Sequence, residues 1–83
     1  MSAAKISFST NEMIQPREVR RELQMSQSQF AAAFGIPIAT LRNWEQGRRK
    51  IDMTTASYLQ TIRRLPKEVQ AALSHYLPER RTL

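Results

Sequence analysis

Residues 27–44 read QSQFAAAFGIPIATLRNW, and the fold turns on this stretch. Ser26 stands just before it, with Gln29 three residues on. At that spacing a Ser hydroxyl and a Gln side chain cap a helix start reciprocally. Phe30, Ala31 and Phe34, with the alanines between them, form an apolar stripe at helical spacing. Gly35 ends the helix, because the left-handed conformation that closes it costs glycine least. Only Ile36 separates Gly35 from Pro37, and Pro37 pre-sets the first turn of a second helix. That helix is expected over residues 38–46, with Leu41 and Trp44 facing the core and Gly47 closing it. Ala31 has to be small because the two helices cross there.

On the N-terminal side, Pro16 suits the first turn of a helix over residues 17–24, with Val19 and Leu23 on its buried face and Arg17, Arg20 and Arg21 outward. On the C-terminal side, after the basic loop RRKI, Asp52 or Thr54 caps a helix that runs to residue 64. Its inward residues are Met53, Ala56, Leu59 (or Tyr58) and Ile62. Pro66 starts a last helix over residues 66–77, with Val69, Ala72, Leu73, Tyr76 and Leu77 on one side, and Pro78 stops it. Residues 1–15 are small and polar, with Ile6 and Phe8 alternating, and are read as a flexible arm; residues 78–83 are a polar tail. The expectation is an all-α fold of five helices in a single domain, residues 16–77. With 83 residues there is no length for a second domain.

Composition excludes several functions. The chain has no cysteine and one histidine, His75, so a disulfide scaffold, a thiolate metal site and a cysteine nucleophile are out, and zinc lacks a ligand set. Asp52, Glu68 and Glu79 are scattered and make no acid–base pair, and no glycine-rich loop could cradle a phosphate. His75 sits late in the last helix, where its cationic form suits the dipole. No enzymatic activity, metal or cofactor is expected. No apolar run approaches the ~20 residues of a membrane span, and Lys5 is followed by polar residues rather than by a secretory core. The expected location is the cytoplasm.

What remains is charge. Thirteen Lys plus Arg against seven Asp plus Glu leave a net +6, which points to a polyanionic partner. Residues 42–50 hold Arg42, Arg48, Arg49 and Lys50 against Glu45 alone. The 41% apolar content is enough for a small core only, a shortage that dimerisation would relieve.

Gln27, Ala31, Gly35, Leu41, Trp44, Glu45 and Gly47 carry a resemblance: residues 17–64 resemble the Xre/Cro-type helix-turn-helix domain, the five-helix fold shared with the phage lambda repressor. More narrowly, GIPIATLRNWEQGRRK followed by a helix and Leu-Pro is similar to HigA-type antitoxins of bacterial toxin–antitoxin pairs. The resemblance implies a bacterial, DNA-binding transcriptional repressor, autoregulating its own promoter. It also implies a toxin partner, a RelE-like (HigB-like) ribonuclease.

The helix that starts at Pro37 would then enter the major groove. Pro37, Ile38, Ala39, Arg42 and Asn43 are its exposed positions. Arg42 suits guanine O6 and N7 and Asn43 suits adenine, while Ile38 and Ala39 suit thymine methyls and leave part of the specificity to DNA shape. Gln27, Thr40, Arg48, Arg49 and Lys50 are phosphate candidates; for the last three the competing reading is a solvated loop. Glu45 is read as bracing the fold against an arginine such as Arg20. Val69, Ala72, Leu73, Tyr76 and Leu77 are read as a homodimer seam, which would demand a palindromic operator. Ile6, Phe8, Met13 and Ile14 are the candidates for toxin binding. The alternatives are a stand-alone phage-type repressor without a toxin and a protein-interaction module that has lost DNA binding.

Overall fold

The computed structural model describes residues 14–76. Among them are five α-helices and no strand: α1 (Pro16–Glu22), α2 (Gln27–Phe34), α3 (Ile38–Glu45), α4 (Met53–Arg64) and α5 (Pro66–Leu73). The start signals act as their chemistry dictates. Ser26 Oγ accepts from the Gln29 N–H at 3.0 Å while Gln29 Oε1 accepts from the Ser26 N–H at 2.8 Å, a complete capping box on α2. Asp52 Oδ1 accepts from the Thr55 N–H at 2.7 Å and opens α4.

The first three helices end alike. In each, a backbone N–H reaches back five residues to a helix carbonyl: Met25 to Arg20, Ile36 to Ala31 and Arg48 to Asn43, at 3.1, 3.0 and 2.9 Å. This closure requires a left-handed residue just before the donor. Gly35 (φ 68°) and Gly47 (φ 76°) supply it for α2 and α3, but at the α1–α2 corner the residue is Gln24, φ 58°. An L-residue pays about 1–2 kcal/mol for that conformation. Gln24→Gly is therefore expected to stabilise the fold by about 0.5–1 kcal/mol after its larger chain entropy is subtracted. Thermal unfolding checks this, and a lowered midpoint would refute it.

The helices close on one core. Val19 of α1, Phe30, Ala31, Ala33 and Phe34 of α2, Leu41 of α3, and Ala56, Leu59 and Ile62 of α4 are buried, together with Ile14, Ile36 and Ile51 from the connecting segments. The Phe30 and Phe34 rings lie 5.0 Å apart and tilted by 55°, a favoured aromatic arrangement. The Tyr58 hydroxyl donates to the Phe34 carbonyl at 2.7 Å, so α4 satisfies an otherwise unpaired carbonyl at the end of α2. Helix α3 packs against α2 and α1, α1 also meets α4, and α5 lies on α4 and α2. No described helix is long and apolar enough to cross a membrane.

Several expectations need correction. Ile14, assigned to the arm, is 5% exposed and part of the core; it precedes α1 directly and reaches the α4 side of the molecule. Met53, expected inside, is 60% exposed. As the first residue of α4 it lies beyond the rim of the core, in an open groove of about 550 Å³ shared with Ile14, Ala56, Arg64 and Leu65. Helix α1 ends two residues before the expected position because the Gln24 corner closes it. Helix α5 ends at Leu73, not residue 77: the Ser74 N–H and hydroxyl both turn back to the Ala71 carbonyl, at 3.2 and 2.8 Å, and Tyr76 bonds to Leu73. No residue of α5 is fully buried, and Val69 alone leans on the core, so little tertiary packing holds its last turn. Ile6, Phe8, Met13 and Leu77 lie outside the described residues.

Candidate nucleic-acid interface

Helix α3 is positioned by what it buries. Leu41 is fully enclosed, Ile38 and Trp44 lean on the core, and Pro37, Ala39 and Arg42 face outward. Ile38 thus differs from the expectation of a fully exposed base-contacting residue: part of its side chain is spent on packing one turn before Leu41. Asn43, also expected to be exposed, is half-buried, as is Thr40. Pro37 has no side chain able to cap, so the first N–H groups of α3 are left open to an external acceptor.

The other end of α3 is held by Glu45, whose side chain is only 1% exposed. Arg20 grips it with two bonds, Nε to Oε2 and Nη2 to Oε1, both 2.8 Å, the fork geometry for which guanidinium suits carboxylate. Arg20 also donates to the Met25 carbonyl at 3.1 Å. Gln27 Nε2 donates to Glu45 Oε1 at 3.0 Å, and Arg17 reaches the same oxygen at 3.4 Å and the Glu45 carbonyl at 3.3 Å. Burial alone would raise the Glu45 carboxyl. The hydrogen bonds from Arg20 and Gln27, the charge of Arg20 and the weaker bond from Arg17 outweigh it, and hold the group below its ordinary range.

Gln27 passes this order on to the exposed face. Its Oε1 accepts from Arg42 Nε at 3.4 Å, so Arg42 is oriented through Gln27 by a buried carboxylate. Gln27 therefore has a role that its reading as a phosphate contact did not include. Beyond Gly47, Arg48, Arg49 and Lys50 are all exposed. Arg49 and Lys50 flank a small cleft with Gln15, Pro16, Trp44 and Ile51, and Trp44 stands at the edge of the core rather than inside it. Glu45 is the single carboxylate among residues 42–50. What this arrangement can do is bind anions along the outward face of α3 and the loop beyond it.

The expected bracing of Glu45 by Arg20 is observed. Arg17, expected to point outward, is exposed and also reaches Glu45. The signal for that link was present, since Arg17 and Arg20 are three residues apart and share a helix face. On α5, Val69 and Leu73 are half-buried and Ala72 is exposed, while Tyr76, in the turn beyond the helix, is 75% exposed. No group of His, Asp or Glu able to hold a metal occurs among the described residues.

A helix-turn-helix family model matches residues 17–57. Among solved structures, the chain is similar to a helix-turn-helix XRE-family like protein from Agrobacterium tumefaciens. The two share 41% sequence identity over 71% of this chain and 95% of that one, with a TM-score of 0.68. Among curated proteins none matches.

Proposed function

This chain belongs to the XRE family of helix-turn-helix proteins, whose fold is that of DNA-binding transcriptional regulators, and from that premise we propose that it is a sequence-specific repressor. The observation that carries the reading is Arg42: exposed on α3, held through Gln27 by the buried Glu45, and followed by Arg48, Arg49 and Lys50. Arg42 and Asn43 read base edges, Ala39 and the free part of Ile38 meet thymine methyls, and Pro37 sets the approach. Thr40, Arg48, Arg49 and Lys50 hold phosphates, with Gln27 at the start of α2 beside them.

The repressor acts as a homodimer joined through α5. Ala72 and Tyr76 are exposed and Val69 and Leu73 half-exposed, which leaves apolar surface for a second copy, and Leu77 follows in sequence. A two-fold pair places its recognition helices about 34 Å apart, one DNA turn. In its finer form the reading makes the protein the antitoxin of a HigBA-like pair, autoregulating its promoter and binding a RelE-like ribonuclease through Ile6, Phe8 and Met13. A stand-alone regulator without a toxin is the second reading. Two observations favour it: a net charge of +6 suits poorly the basic ribonuclease that the resemblance to HigA-type antitoxins implies, and Ile14 is committed to the core.

Selection of bound duplexes from a random library at about 0.15 M salt tests the proposal. Enrichment of a palindrome with half-sites about 10 bp apart is the expected result. No enriched sequence would overturn it. Co-purification of the full chain with the product of a neighbouring reading frame then separates antitoxin from stand-alone regulator.

A further inference from the structure

Glu45 offers one negative charge, and Arg20 already matches it with two short bonds. Arg17 is thus a second cation on a carboxylate that needs only one. Its bonds to Glu45 are the long ones, 3.4 and 3.3 Å, and its side chain is 47% exposed against 14% for Arg20. A contact so open to water adds little to folding stability. Its Nη1 has no acceptor among the described residues, and a guanidinium with donors to spare is a fork that fits a phosphodiester oxygen pair.

Its position gives that charge a use. Glu45 Oε1 is shared by Arg17, Arg20 and Gln27, and Gln27 passes on to Arg42. Arg17 is therefore one carboxylate away from the side chain assigned to phosphate and two links from the one assigned to a base. Its second bond, to the Glu45 carbonyl, sets it at the C-terminal end of α3, where the chain turns at Gly47 into Arg48, Arg49 and Lys50. The cations of the loop and Arg17 flank the same helix end from two elements.

We propose that Arg17 contacts a backbone phosphate of the bound duplex, so that the DNA-binding surface extends beyond the two helices of the motif onto α1. Glu45 anchors the guanidinium from below, and the phosphodiester takes the donors that Glu45 leaves over. The inference rests on the DNA-binding reading and adds a contact to it. Because that contact is to backbone, it strengthens binding to every sequence alike.

The test is the salt dependence of binding for the full chain and its Arg17→Gln and Arg17→Lys variants, on the selected duplex and on an unrelated one. Losing one phosphate contact lowers the slope of log K against log salt by about 0.9, so Arg17→Gln is expected to lose about threefold less affinity than the parent between 0.05 and 0.2 M salt. Both duplexes weaken by the same factor, Arg17→Lys recovers the parent slope, and the unfolding midpoints of all three proteins agree. An unchanged slope in Arg17→Gln overturns the inference and leaves the DNA-binding reading standing. A slope reduced equally in Arg17→Lys also overturns it, by tracing the effect to the fold. No salt-dependent binding by the parent takes down both.

Discussion

Arg20→Ala is expected to destabilise the protein by about 3 kcal/mol near neutral pH, lowering the unfolding midpoint by on the order of 15 °C. The cost does not measure what the ion pair is worth. It comes from leaving the Glu45 carboxylate, 1% exposed, without the cation that compensates its desolvation. Gln27 and Arg17 still reach it, so the loss falls at the low end of the range for a broken buried pair. Arg20→Lys keeps the charge but not the paired bonds and should fall between parent and alanine variant. The pH dependence identifies the cause. In the parent the Glu45 carboxyl lies below its ordinary value near 4.5. Its stabilising contribution is therefore complete above that value and is lost as pH falls through the lowered one. In Arg20→Ala the largest force opposing burial is gone and the carboxyl titrates higher than in the parent, so the difference between the two proteins should shrink as pH falls through the variant's higher value and then the parent's lowered one. Denaturant unfolding at neutral and acid pH measures it; an equal deficit at both would show that Arg20 acts through packing alone.

Arg42→Ala and Arg48→Ala should weaken DNA binding in opposite styles. Arg42 is aimed through Gln27, and a guanidinium held in one orientation discriminates bases by about 1–3 kcal/mol. Its loss is expected to cost roughly ten- to a hundredfold on the selected operator and much less on an unrelated duplex, so the ratio between the two collapses. Arg48 is exposed on the loop beyond Gly47. Its loss should weaken both duplexes by the same factor and lower the salt slope by about 0.9. Titrations of both variants against both duplexes at two salt concentrations separate the patterns. If both substitutions lowered affinity equally for every sequence, base reading by Arg42 would be wrong.

Much of this was legible in the chain because it is local. Ser26 with Gln29, Gly35 before Pro37, Asp52 before Thr55 and Pro66 after Leu65 each act within a few residues, and each marks a helix end where the chemistry requires one. Long-range choices were less legible. Helical spacing puts Met53 on the same stripe as Ala56, but spacing does not say where the core stops. Ile14 is an isolated apolar residue at the end of a mostly polar segment, with no period to mark its inward face, and it is buried because α4 lies across from it. The stop of α5 depends on how little packs against it, which no residue of the helix records by itself. At the interface, the residue types on α3 were readable. The chain of contacts from Glu45 through Gln27 to Arg42 crosses from α3 to α2 and back, and one-dimensional spacing does not show it.

The link between α2 and α3 is three residues, and none of them is slack. Gly35 is locked by the closing bonds of α2, Ile36 is 7% exposed and belongs to the core, and the ring of Pro37 fixes the backbone where α3 begins. The motif has a corner where a hinge would need a loop. A duplex docked against α3 therefore meets a rigid body: the angle between the two helices is not an adjustable quantity, and groove width and curvature are. In any imperfect fit, the deformation falls on the nucleic acid.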